Sequence, residues 1–166
     1  SARHLANAVY GLCTAPAAIT QQHQTALQQQ LVPAFVTRRS EANAQGVSNV
    51  LYRMAVSGQL VPAGQLQQLL GAFVGMLQHA KPQNGSNTLL ALAKMGQQVP
   101  TGQLQQLLGA IIDMLQQAKP QEVSNTLWAV ATMGHTVPAG QLQQLLGAFT
   151  GVLHQATPQA VSNTLW

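Results

Sequence analysis

The hexapeptide Val-Pro-Ala-Gly-Gln-Leu, or its threonine variant, begins at Val61, Val99 and Val137, thirty-eight residues apart. Ser-Asn pairs keep the same spacing, starting at Ser48, Ser86, Ser124 and Ser162. A period of this length marks an array of small units, none of which can bury its own apolar face alone. Residues 31–35 match residues 69–73 in the same register. Asn7 lies forty-two residues before Asn49, so the first unit carries about four extra residues, expected in the Gln-rich stretch 14–30. The units fall at approximately 2–43, 44–81, 82–119 and 120–157, with a partial unit at 158–166. They make one repeat domain over 1–166. The start at Ser1 and the stop inside a repeated motif lead us to expect a piece of a longer protein.

Each unit reads as two helices. In 120–134, Pro120 suits a first helical turn, where its missing N–H costs nothing, and Glu122 favours the helix dipole. Val123, Leu127, Val130 and Ala131 then form one apolar stripe, and Gly134 suits a left-handed C-terminal cap. The second helix starts near Pro138, with Leu142, Leu145, Leu146, Phe149, Val152 and Leu153 as its stripe. No run alternates as a strand would. The expected fold is all-α: a right-handed α-solenoid of two-helix, helix-turn-helix repeats, an ARM/HEAT/TPR-like superhelix. Gly71, Gly109 and Gly147 recur inside every second helix, which suggests either close helix approach or tolerated duplication of one ancestral unit.

Hydrophobic residues supply 46% of the chain but charged residues only 6%, against about 25% in ordinary soluble domains. The net charge of +4 suits an anionic partner without making a dense basic stripe. Cys13 is the single cysteine, so a disulfide within the chain or a cysteine zinc site is excluded. The five histidines lack metal-ligand spacing, and Glu41, Asp113 and Glu122 fall in different units. Phosphate-binding Gly-rich loops are missing. The chain is therefore expected not to be an enzyme, with no cofactor and no membrane span.

The segment 120–134, Pro-Gln-Glu-Val-Ser-Asn-Thr-Leu-Trp-Ala-Val-Ala-Thr-Met-Gly, resembles the signature helix of octotricopeptide-like repeats. That resemblance extends over nearly the whole chain from Leu5. Similar repeats occur in effectors that plant-pathogenic bacteria inject into host cells, including a family named for an SKWP motif. The resemblance implies either the RNA binding of organellar octotricopeptide proteins or a role inside such an effector.

Projected as a helix, 120–134 places Asn125, Trp128, Ala129 and Thr132 opposite the core stripe. Across units this face carries Asn49, Asn87, Asn125 and Asn163 as a constant rung. Beside it, Tyr52 and Leu90 match Trp128, Arg53 and Ala91 match Ala129, and Val56 and Lys94 match Thr132. A constant polar rung beside variable positions is what modular recognition needs, although a structural ladder would give the same pattern. Trp128 and Tyr52 either stack on a ligand or pack at the core edge. Lys81 and Lys119 either line an anionic groove or complement the C-terminal dipoles of the second helices. The candidate binding residues are thus Asn49, Asn87, Asn125, Tyr52, Arg53, Lys94, Trp128, Thr132, Lys81 and Lys119. The Gln pairs, such as Gln143-Gln144, supply either a solvated face or amide contacts.

The leading expectation is a macromolecular recognition scaffold that binds a host protein, within a bacterial type III effector acting in the host cell. The alternatives are modular or sequence-tolerant single-stranded RNA binding and a structural spacer. The chain would be secreted into the host cell or otherwise cytoplasmic. Val161, Leu165 and Trp166 would leave apolar surface, favouring end-to-end self-association.

Overall fold

The structure is a computed structural model and describes residues 1–14 and 20–165. Its regular elements are all helical among the described residues. They are α1 (Ala2–Thr14), α2 (Gln21–Ala26), α3 (Val32–Thr37), α4 (Ala44–Val56), α5 (Ala63–Val74), α6 (Pro82–Met95), α7 (Thr101–Asp113), α8 (Pro120–Thr132), α9 (Ala139–Gly151) and α10 (Pro158–Leu165). The chain ends in a motif whose Trp166 lies outside the described residues.

Two layers result. Helices α1, α4, α6, α8 and α10 pack side by side in chain order. Helices α3, α5, α7 and α9 form the second row, each also resting on the first-row helix of its own unit. Between the rows lies a continuous core that includes Phe35, Leu51, Met54, Leu69, Phe73, Leu92, Leu107, Ile111, Val123 and Phe149.

Local sequence explains the helix ends. Pro82 and Pro120 open α6 and α8 in their first turns. The Gly58, Gly96 and Gly134 backbones are left-handed, at φ 72°, 62° and 62°, a conformation that costs glycine no Cβ clash. After α4 the Gln59 N–H reaches back to the Met54 carbonyl, which closes the helix end.

The extra residues of the first unit prove to lie inside its second helix. Gln21 follows Asn7 by the same interval as Ala63 follows Asn49, yet Phe35 is four residues later than its counterpart Phe73 would require. Helices α2 and α3 are joined through a wider turn, Leu27–Leu31, into one continuous helical run. One turn absorbs about 3.6 residues and the widened turn takes up the remainder, so the buried Leu27, Val32 and Phe35 still face the core. Residues 15–19 of the expected insertion lie outside the described residues.

Three expectations about faces need correction. Ala129 and Ala91 are fully buried, not on an outer ribbon, whereas Ala131 is exposed. A first-row helix is flanked on both sides and covered beneath, so its open face is narrower than a single amphipathic helix suggests. Gly71, Gly109 and Gly147 do not mark close helix approach: a Cβ there would meet nothing nearer than the Gln103 amide, 3.8 Å from Gly71. Leu142 and Leu146 on α9 are 41% and 43% exposed, and Leu153, in the short turn after it, is 46% exposed. The counterparts of Leu142 and Leu146, namely Leu66, Leu104, Leu70 and Leu108, are buried, because α7 and α9 cover α5 and α7 in turn.

Candidate functional site

The outward positions on the first-row helices form a stripe at i, i+4, i+7 and i+11, in which Leu90 and Asn125 are nearly covered. On α4 it reads Gln45, Asn49, Tyr52 and Val56; on α6, Gln83, Asn87, Leu90 and Lys94; on α8, Gln121, Asn125, Trp128 and Thr132. On α1 the same positions are Arg3, Asn7, Tyr10 and Thr14. Placed side by side, these stripes make a sheet of amides, aromatics and cations across the first row.

The asparagines sit half in this surface. Asn49 and Asn87 are half-buried and Asn125 is 9% exposed. Gln121 Nε2 donates to Asn125 Oδ1 at 2.8 Å, and Gln159 Nε2 donates to Asn163 Oδ1 at 2.7 Å. These bonds run within one helix, so the rung is not tied across units by them. They turn each asparagine's donor amide away from its glutamine. One link between units comes from the preceding serine of α4 instead: Ser48 Oγ donates to the Asn84 carbonyl on the next first-row helix, at 3.0 Å.

Sequence reasoning missed the glutamine rung. Gln45, Gln83, Gln121 and Gln159 recur at the full period, a signal visible in the sequence but overshadowed by the adjacent Ser-Asn pairs. It also left Arg3 and Tyr10 out of the candidate face, although the alignment of Asn7 with Asn49 places them opposite Gln45 and Tyr52.

The aromatics come paired with cations. The Arg53 guanidinium lies 4.1 Å from the centre of the Tyr10 ring and 5.6 Å from that of Tyr52. Lys94 Nζ is 5.5 Å from the centre of the Trp128 ring. Each cation lies within range of attraction by the ring's π face. Tyr52, Arg53 and Trp128 are half-buried, while Lys94 and Thr132 are exposed.

Lys81 and Lys119 stand elsewhere than expected. They are the cap residues at the N-termini of α6 and α8, and both are exposed. A cation at that end opposes the helix dipole, so complementing the dipole cannot explain them. Their backbones help close the helices: the Lys81 N–H donates to Asn84 Oδ1 at 2.9 Å, and the Lys119 N–H to Glu122 Oε2 at 2.8 Å. The Lys81 side is part of a groove of 460 Å³ with Gln45, His79 and Gln83.

Of the seven cationic residues, all but Arg38 and Arg39 lie on first-row helices or their caps. Arg39 Nη1 donates to the Val36 carbonyl at 2.8 Å, bracing the turn after α3. Two of the three acids are held by backbone amides: Glu122 by Lys119, and Glu41, which accepts from the Ala2 N–H at 3.2 Å.

No cluster of metal-ligating side chains occurs among the described residues. Burial pushes the Cys13 thiol above its ordinary range, opposed by the hydrogen bond that Ser57 Oγ donates and by the nearby Arg53 charge. His23 closes the start of α2 reciprocally with Thr20. No described helix is long and apolar enough to cross a membrane.

Residues 63–165 match the family described as Tbc2 translation factor, N-terminal domain. The chain belongs to this family. The matched span takes in α5 through α10, with the Lys94–Trp128 pair and the Asn87 and Asn125 rungs inside it. Tyr10, Arg53 and the α1–α4 edge lie outside it. No curated protein is similar enough to the chain to count as a match.

Proposed function

We propose that this chain is an RNA-recognition domain, a right-handed α-solenoid of 38-residue helix pairs that lays a single strand across its first-row helices. The observation that carries this reading is the repeated asparagine rung with an aromatic ring beyond it on α1, α4 and α8, Arg53 stacked on Tyr10 and Lys94 beside Trp128. Bases stack on aromatic rings and guanidinium planes, amides offer donor and acceptor together, and cations meet phosphates. The resemblance to octotricopeptide repeats and membership in a translation-factor family both fit an RNA partner. Catalysis has no place in this reading.

The test is fluorescence anisotropy of a random-sequence single-stranded RNA pool at two salt concentrations. Micromolar or tighter binding that weakens with salt is the expected result. An absence of binding at low salt would reject the reading.

Protein recognition is the second reading. The observation in its favour is the apolar surface that Leu142 and Leu146 on α9 and Leu153 in the turn after it leave open, in a chain of only 6% charged residues. A place inside a bacterial effector, secreted into a host cell, belongs to that reading and rests on the repeat resemblance alone. Capture of a defined host protein, lost on replacing those leucines, would favour it.

A further inference from the structure

The first unit departs from the others in ways that give it its own chemistry. On α1, Arg3, Asn7 and Tyr10 occupy one face, spread over about 10 Å of helix. On the neighbouring α4, Gln45, Asn49 and Arg53 face the same seam. A groove of 580 Å³ opens between the two helices, with Arg3, Asn7, Gln45 and Asn49 among its walls. Where the other units carry glutamine at its mouth, this edge carries Arg3, a cation. Glu41 also borders the groove, but one of its oxygens accepts the Ala2 N–H. One turn beyond Asn7 and Asn49 stands the Tyr10–Arg53 stack, at 4.1 Å, with Tyr10 still 44% exposed.

We propose that this α1–α4 seam is a nucleotide subsite, with a base stacked on the Tyr10–Arg53 pair and a backbone phosphate on Arg3. This assignment rests on the RNA reading. Asn7 and Asn49 present donors and acceptors between the two anchors, where a ribose or base edge would lie. The flat, cation-backed ring suits a base, since every nucleobase has a π face to stack. The seam between α4 and α6 is the internal comparison. There Tyr52 holds the ring position, but the counterpart of Arg53 is the buried Ala91, so the second helix of that seam brings no cation to the ring. The subsite lies outside the span matched by the family, so it belongs to this chain's own first unit.

The experiment measures binding of a 5′-fluorescein-labelled, twelve-nucleotide single-stranded RNA of random sequence to the whole chain. Tyr10→Ala should weaken binding about 5- to 100-fold, and Tyr10→Phe should keep it near the unsubstituted value, with melting curves unchanged because Tyr10 is so exposed. Should Tyr10→Ala disturb folding, photocrosslinking of the unsubstituted chain to 5-iodouridine RNA reads the contact directly, and the adduct should map to Tyr10. RNA binding that is indifferent to Tyr10→Ala in a folded protein overturns the subsite and leaves the RNA reading standing. Crosslinks confined to Trp128 do the same. Failure of the unsubstituted chain to bind overturns both.

Discussion

Gly85 on α6 and Ile111 on α7 meet so closely that a Cβ on Gly85 would lie 2.6 Å from Ile111 Cγ1. Val47 and Val123 hold the matching positions in the units on either side. Gly85→Ala should therefore overpack the seam between the two rows, at about 1–3 kcal/mol, against about 1 kcal/mol gained in helix propensity. The expected net result is a loss of about 1 kcal/mol in urea unfolding. In an Ile111→Ala background the clash is gone and the same substitution should stabilise; a loss of equal size there would refute the packing argument.

Two serines at equivalent positions should respond differently. Ser48 Oγ has its partner in the Asn84 carbonyl, whereas Ser124 Oγ is buried without one. Ser48→Ala should cost about 1 kcal/mol, and Ser124→Ala should be neutral or stabilising. Equal melting shifts for the two would show that Ser48 does not join the units.

Leu142 and Leu146 expose on α9 what Leu104 and Leu108 bury on α7. We expect the chain to self-associate through this face at high concentration. Leu142→Gln with Leu146→Gln should give a monomer by light scattering with little change in melting. Leu104→Gln should instead destabilise by several kcal/mol, because it places an amide in the core.

The asparagine rung separates recognition from support. The bond between Gln121 and Asn125 lies within one helix, near the surface. Replacing Asn87 and Asn125 together by alanine should weaken RNA binding while lowering stability by no more than about 1 kcal/mol. A collapse of the melting transition would make the rung structural.

Cys13 gives a pH dependence whose sign is fixed. Its pKa is raised in the folded chain by burial, while the unfolded thiol ionises near about 8.5. Its contribution to stability is full below that value and is lost as pH rises through the folded pKa. Native Cys13 should also react more slowly than the unfolded thiol with a disulfide reagent at pH 8. Equal rates would contradict the burial.

Much of the helical layout was legible because it follows from local chemistry. Pro82, Pro120, Gly96 and Gly134 set helix starts and stops through the backbone angles they permit. The thirty-eight-residue period carried those signals from unit to unit. The candidate site was legible only in part. Asn49, Asn87 and Asn125 do reach the surface, and Tyr52, Arg53, Lys94 and Trp128 lie beside them. Lys81 and Lys119 were assigned to the wrong helix ends, because the short turns Leu77–His79 and Leu115–Gln117 end the second helices before the lysines.

By itself the sequence determined where helices begin, that they come in pairs, and which polar residue types recur. Those properties depend on neighbours a few positions away. Only the tertiary structure decided which of the recurring residues stay exposed. Ala129 and Asn125 share a helix face in projection, yet helices on both flanks bury the one fully and leave an edge of the other. It also brought Arg53 onto Tyr10, forty-three positions away in the sequence. A contact of that kind depends on how one helix lies against the next, and no periodicity within a single helix encodes it.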